Sequence, residues 1–153
     1  AKEKRNLKNR YPLLDTNVII SRSIDDSLLD RMFLSSVVLY ELIAANIDQS
    51  TFTVYDSWRR AYGASDRLLV PTGIDWFECS KLIRNLLRGQ KSSTKGTVQK
   101  VTSAQQQQND ALIARTAWMH DCFIVTDNER DFKKFEPYMK GLLVVPADSF
   151  FDD

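Results

Sequence analysis

Carboxylates occur at several positions of this sequence where burial is expected to disfavour them. Asp15 directly follows an apolar run at 11–14, Glu41 lies within a run of Val, Leu, Ile and Ala, and Asp110 opens an apolar helical stripe. Asp127 and Asp131 follow a further apolar run at 122–126. Isolated buried carboxylates are costly and become protonated, whereas several that converge on a hard cation stay ionised. An acidic cluster of this kind suggests Mg²⁺ or Mn²⁺, which prefer a few carboxylates together with water and substrate phosphate.

Each acid also has a purely structural interpretation. Asp15 and Asp127 are suitable helix caps, and Asp110 is a favourable charge at a helix N-terminus. Glu41 has no capping role, because it lies in the middle of an apolar helical segment. The joint occurrence of the acids therefore favours chemistry more than any one of them does.

The sequence does not contain the residues that several other common kinds of catalytic site require. His120 is the only histidine, which excludes histidine-pair acid–base catalysis, and no serine elbow accompanies it for a Ser-His-Asp triad. Cys79 and Cys122 form no C-x-x-C pair and supply too few ligands for a zinc site. The five glycines form neither a Walker A loop nor a G-x-G-x-x-G motif. Carboxylate chemistry is what remains.

Short apolar runs alternate with segments of helical periodicity along the chain. The runs predict strands at 11–14, 32–34, 68–70, 122–126 and 142–145. The periodic segments predict helices that begin near 17 and span 37–45, 51–62, 74–87 and 109–119. This alternation indicates an α/β domain with a mostly parallel sheet. The carboxyl ends of parallel strands bind ligands, so Asp15 is expected at the active edge of the sheet.

Polar and basic segments interrupt this pattern. At 89–108 the apolar period fails, and Gly, Ser, Thr, Lys and Gln predict a mobile loop. No acidic residue lies between Glu78 and Asp110, and residues 1–10 form a second basic segment. Such segments attract a phosphate backbone, although a solvated helix face followed by a flexible loop explains the charge equally well.

Length and composition indicate one domain. The chain has 153 residues, 43% hydrophobic and 27% charged, with a net charge of +1. We expect a basic tail at 1–10 and a single domain at 11–153. The apolar runs are too short for a membrane span, and the N-terminus does not resemble a signal peptide, so we expect a cytoplasmic protein without membrane contact.

Four segments together carry a resemblance to a known family. They are LLDTNVII at 13–20, SSVVLYEL at 35–42, NDALIARTA at 109–117 and VTDNERDF at 125–132. The sequence resembles PIN-domain ribonucleases, and most closely the VapC-type toxins of type II toxin–antitoxin systems. The similarity extends over residues 11 to 147. It implies a PIN-like three-layer α/β fold with a central, mostly parallel five-stranded sheet flanked by helices.

The resemblance also implies roles for individual residues. The catalytic acids would be Asp15, Glu41, Asp110 and Asp131. Three of them, Asp15, Asp110 and Asp131, would bind Mg²⁺ or Mn²⁺, and Asp127 is a substitute ligand. Supporting roles fall to Thr126, Asn128 and Asn17. A metal-activated water would cleave RNA to leave a 5′-phosphate and a 3′-hydroxyl, with Glu41 holding or deprotonating that water. RNA would be attracted by Lys81, Arg84, Arg88, Lys91 and Lys95.

The resemblance implies a homodimer and an antitoxin protein as a partner. The alternative is a catalytically silent PIN-like module that binds RNA or protein. A phosphatase of the haloacid dehalogenase type is disfavoured, because Asn17 replaces the second aspartate of its D-x-D motif. A phospho-accepting receiver domain is disfavoured because its lysine is absent after Val145.

Overall fold

A parallel sheet forms the centre of the computed structural model, which describes residues 7–88 and 97–152. Its strands are β1 (Tyr11–Leu14), β2 (Leu34–Ser35), β3 (Leu68–Leu69), β4 (Cys122–Thr126) and β5 (Val144–Pro146). Three strands pair in the order β1-β4-β5, and β2 pairs with β3. A parallel bridge between Leu13 and Phe33 joins the two parts, so the order across the molecule is β3-β2-β1-β4-β5.

Helices flank this sheet and connect its strands. They are α1 (Thr16–Ser21), α2 (Asp26–Arg31), α3 (Ser36–Ala44), α4 (Gln49–Ala64), α5 (Gly73–Arg88), α6 (Thr97–Met119), α7 (Arg130–Lys133) and α8 (Ala147–Phe151). The predicted α/β class with five mostly parallel strands is confirmed. Strand β5 begins two residues later than predicted, although the Leu143 carbonyl still accepts a hydrogen bond from the Ile124 amide. No helix within the described ranges has the length and apolar character needed to cross a bilayer.

The core packs around β1 and β4 and sets the position of the candidate site. Leu13, Leu14, Ile124 and Val125 are all fully or almost fully buried. In the parallel register Leu14 lies opposite Val125, and the Asp15 amide donates to the Val125 carbonyl at 2.9 Å. The residues that follow β1 and β4 therefore emerge side by side at the carboxyl edge of the sheet.

The predicted loop at 89–108 is wrong from Thr97 onward, because α6 begins there. Glutamine, alanine and serine do not break helices, so a polar sequence without an apolar period is still compatible with a helix. Tertiary packing supplies the missing signal, since Ala104 packs against the core and Val101 lines a groove between α5 and α6. The remaining part of the predicted loop, 89–96, lies outside the described residues.

The predicted basic tail at 1–10 is only partly described, because residues 1–6 lie outside the described residues. The described part contacts the domain. Leu7 is partly buried and packs against the core, and Arg10 Nη1 donates to the Gly141 carbonyl at 3.2 Å. The described residues that precede β1 therefore contact the domain.

Candidate active site

Asp15 joins the end of β1 to the start of α1 and contacts two hydroxyl-bearing residues. It is the N-cap of α1, and its Oδ1 accepts a hydrogen bond from the Thr16 amide at 2.8 Å. Its Oδ2 accepts one from Thr126 Oγ1 at 3.1 Å. The structural interpretation of Asp15 as a cap is therefore confirmed, and the cap itself holds the carboxylate at the edge of the sheet.

Glu41 is brought to Asp15 by α3. Ser35 caps this helix by accepting hydrogen bonds from the Val37 and Val38 amides, and the helix buries Val38 and Leu42 in the core. Glu41 is only partly buried, and its Oε1 accepts a hydrogen bond from Thr16 Oγ1 at 2.7 Å. The carboxylate thus lies beside the first residue of α1.

The segment after β4 adds Asp131 to the same network. Thr126 is fully buried, and its Oγ1 accepts a hydrogen bond from the Asn128 amide at 3.0 Å. Asn128 Nδ2 donates to Asp131 Oδ2 at 2.7 Å. Hydrogen bonds therefore connect three carboxylates through the chain Glu41, Thr16, Asp15, Thr126, Asn128 and Asp131.

Asp110 is the fourth acid, and its carboxyl is strongly perturbed. Burial raises the pKa of Asp110 to about 7, and the charges of Asp15, Asp131 and Glu41 act in the same direction. The Lys134 ammonium opposes this increase. Asp110 lies well inside α6, which begins at Thr97, so it is not a charge placed at a helix N-terminus.

The pKa of Asp15 is also raised. Burial is the largest cause, and the charges of Glu41 and Asp131 add to it, whereas the hydrogen bonds from Thr16 and Thr126 act in the opposite direction. The four acids therefore belong to one electrostatic cluster. Mutual repulsion in a partly buried cluster favours either protonation or a bound cation.

This repulsion predicts that Asp110→Asn stabilises the metal-free protein at alkaline pH. The pKa of Asp110 is higher in the folded state than in the unfolded state, so its ionised carboxylate destabilises the folded protein. This destabilisation is complete above the folded-state pKa and disappears as the pH falls towards 4. We expect the variant to gain about 2 kcal/mol in unfolding free energy at pH 8, a value reduced for partial exposure, and nothing near pH 4. Urea unfolding in EDTA at both pH values measures this, and equal stability at pH 8 would contradict it.

The chemistry of the donor set suits a hard divalent cation. All four acids of the cluster carry carboxylates, and Mg²⁺ commonly binds one or two carboxylates directly and keeps several waters. Among residues 7–88 and 97–152, no three His, Cys, Asp or Glu side chains converge into a preformed metal-binding group. A donor set made of carboxylates is compatible with a cation such as Mg²⁺ or Mn²⁺ that retains several waters.

Asp127 and Asn17 are separate from this hydrogen-bonded network. Asp127 Oδ1 pairs with Arg22 Nη2 at 3.1 Å, and Arg22 also pairs with Asp148 at 2.6 Å. Asn17 is exposed in the first turn of α1. Neither Asp127 nor Asn128 caps α7, whose N-cap is Glu129, so the capping interpretation of Asp127 is wrong.

Two of the predicted RNA-binding cations, Arg84 and Arg88, lie in a groove between α5 and α6. They line this groove together with Gln108, which is two residues before Asp110 and so about 200° away from it around α6. Lys81 pairs with Glu78 at 3.1 Å. Lys91 and Lys95 lie outside the described residues. An RNA role for these cations stays a prediction.

Two residues near the acids are not identified by the sequence pattern. From the sequence, Thr16 is predicted only to lie at the start of a helix. In the structure its hydroxyl also donates a hydrogen bond to Glu41. The Lys134 charge lowers the pKa of Asp110. In the sequence, Lys134 is marked only by its position three residues after Asp131, a spacing of about one helical turn.

Comparisons with known proteins concern the fold. No protein-family model matches the chain, and no curated protein sequence matches it. A chain of the DNA-bound VapBC complex from Salmonella typhimurium is similar, with 22% identity and a TM-score of 0.53, over 90% of this chain and 98% of that chain. A chain of VapBC2 from Rickettsia felis, bound to a promoter DNA fragment, has 20% identity and a TM-score of 0.50 over 89% and 98%.

A chain of FitAB bound to the IR36 DNA fragment is also similar. It has 16% identity and a TM-score of 0.52, over 89% of this chain and 94% of that chain. At such low identity the similarity establishes the fold. The chain has the α/β fold of these proteins over most of its length, which confirms the fold implied by its resemblance to VapC-type PIN domains.

Proposed function

We propose, on the premise of this shared fold, that the protein is a metal-dependent endoribonuclease and the toxin of a type II toxin–antitoxin pair. The observation that carries the proposal is the acidic cluster. Asp15, Glu41, Asp110 and Asp131 come from four separate elements, and their charges act on one another at the carboxyl edge of the sheet. Such a cluster serves no obvious purpose in folding, since its mutual repulsion opposes the folded state.

The roles of the four acids follow from their environments. Asp15 and Asp110 have raised carboxyl pKa values and are the candidates for direct metal ligands, while Asp131 is oriented by Asn128. A bound Mg²⁺ or Mn²⁺ supplies charge neutralisation at a phosphodiester and lowers the pKa of a bound water. Glu41, held through one carboxylate oxygen, keeps the other available to position or deprotonate that water.

The partner in this proposal is an antitoxin protein. The similar chains come from structures of VapBC and FitAB, and the resemblance of this sequence to VapC-type toxins points the same way. The substrate in this proposal is RNA, cleaved to leave a 5′-phosphate and a 3′-hydroxyl. Dimerisation is part of the same proposal.

Metal removal tests the proposal directly. The purified chain is incubated with a mixed RNA pool in Mg²⁺ or Mn²⁺, in EDTA, and in EDTA followed by excess Mg²⁺. We expect cleavage with either metal, no cleavage in EDTA, and recovery on adding Mg²⁺ back. The new RNA ends are then tested for a 5′-phosphate.

Two results count against the nuclease. Cleavage that persists in EDTA would assign the activity to a contaminant or to a different mechanism. No cleavage under any condition, together with no heat of Mn²⁺ binding by calorimetry, would favour the catalytically silent binding module.

A further inference from the structure

Thr16 contacts two of the four acids at once. It directly follows Asp15 and occupies the first position of α1. Its amide donates to Asp15 Oδ1 at 2.8 Å, and its hydroxyl donates to Glu41 Oε1 at 2.7 Å. The hydroxyl contact spans 25 positions of sequence, so it depends on the packing of α1 against α3.

The hydroxyl of Thr16 is not needed to begin the helix. The cap of α1 is made by the Asp15 side chain and the Thr16 amide, and any residue other than proline supplies that amide. Threonine is β-branched and has no advantage over valine in helix propensity. Since a hydroxyl has one proton to donate, the proton of Thr16 is committed to Glu41.

Without this contact, several forces act to displace Glu41. Its side chain has three rotatable bonds and is only partly buried. The Glu41 carboxylate is electrostatically coupled to those of Asp15 and Asp110, and like charges repel. A hydrogen bond donated to one carboxylate oxygen keeps Glu41 in place against this repulsion. Its second carboxylate oxygen remains available.

We propose that Thr16 is a positioning residue that fixes the Glu41 carboxylate beside Asp15 through its hydroxyl. The inference rests on the proposed nuclease function and deepens it. Thr16 does not touch the reacting atoms, and it acts only through Glu41. A residue with the same shape and no hydroxyl should therefore impair the step that needs Glu41, while RNA binding is unaffected.

The test compares Thr16→Val, Thr16→Ser, Glu41→Gln and the Thr16→Val, Glu41→Gln double variant. We expect Thr16→Val to lower kcat by about 10-fold with an unchanged KM for RNA, and Thr16→Ser to stay within about 3-fold of wild type. In the Glu41→Gln background, Thr16→Val should have no further effect. Thermal unfolding checks that all four variants fold.

A second readout does not require activity. Calorimetric titration with Mn²⁺ alone should show weaker binding by about 3-fold or more in both Thr16→Val and Glu41→Gln, since a carboxylate held near the cation adds attraction. Thr16→Ser should bind like wild type, and the double variant like Glu41→Gln. These Mn²⁺ affinities depend on the position of the Glu41 carboxylate. If Thr16 only stabilised the helix, its substitution would not change them.

Several outcomes overturn the inference. They are a fully active Thr16→Val, a Thr16→Ser as impaired as Thr16→Val, and additive losses in the double variant. If wild type binds Mn²⁺ but cuts no RNA, the proposed function fails, and the Mn²⁺ affinities of the variants still decide the role of Thr16. If wild type neither cuts RNA nor binds Mn²⁺, both proposals are wrong.

Discussion

Asp15→Asn is expected to lower metal-dependent RNA cleavage by about 100-fold to 10,000-fold, with little change in the folded structure. The substitution removes one negative charge from the cluster and keeps the size of the side chain. Asp15 is the acid that receives hydrogen bonds from both flanking segments, from Thr16 after β1 and from Thr126 at the end of β4. Cleavage of the RNA pool in Mg²⁺ and in Mn²⁺ measures the effect.

The fold should survive this change for two reasons. Asparagine caps helices as well as aspartate does, so the bond from the Thr16 amide is retained. Burial and neighbouring negative charges raise the pKa of Asp15, so removing its charge relieves repulsion in the metal-free protein at neutral pH. Thermal unfolding in EDTA should therefore show a variant at least as stable as wild type.

Asp121→Asn is the matched control. Asp121 is exposed and directly precedes β4, at the opposite end of the strand from Thr126. Its φ of 54° lies in the left-handed region, which asparagine tolerates. We expect full activity from this variant. Full activity in Asp15→Asn would contradict the role of the cluster, and an unfolded Asp15→Asn would contradict the account of its stability.

The sequence was most informative where periodicity and chemistry agreed. Strands β1 and β4 have the predicted bounds, because both are short apolar runs bounded by polar residues. Glu41 could be recognised because a carboxylate in the middle of an apolar helix has no capping role. The sequence alone did not exclude that Asp110 is only a favourable charge at a helix N-terminus. The structure excludes this interpretation, because α6 begins at Thr97, well before Asp110.

The rest depended on contacts between distant parts of the chain. The helical first half of α6 has no apolar period, and its support comes from packing against α5 through residues such as Ala104. The bond between Thr16 and Glu41 and the pair between Arg22 and Asp127 join residues 25 and 105 positions apart. No local pattern specifies such partners, since they are set by how α1 lies against α3 and against the segment after β4.

A buried ion pair joins α5 to α6. Asp75 Oδ1 accepts a hydrogen bond from Arg115 Nε at 2.7 Å, and the two side chains are only 9% and 14% exposed. Asp75 Oδ2 also accepts one from the Thr72 amide at 2.8 Å, and the Thr72 hydroxyl accepts one from the Asp75 amide at 3.2 Å. Burial raises the pKa of Asp75, but the hydrogen bonds from Thr72 and Arg115 outweigh it, and the pKa lies below its ordinary value.

Asp75→Ala is expected to lower the unfolding free energy by about 3 kcal/mol at pH 7, because it leaves the Arg115 guanidinium buried without its partner. The combined change Asp75→Leu and Arg115→Met should cost much less, since it removes both charges and keeps apolar volume. The contribution of the wild-type pair is present above the ordinary pKa of aspartate and is lost as the pH falls through the lowered one, so the gap between wild type and Asp75→Ala should narrow in acid. Urea unfolding measures the stability of all three proteins, and an Asp75→Ala variant within about 0.5 kcal/mol of wild type would show that the pair contributes little.

RNA cleavage at temperatures well below the unfolding transition should be unchanged, because Arg115 and Asp110 are five residues apart and point to different sides of α6.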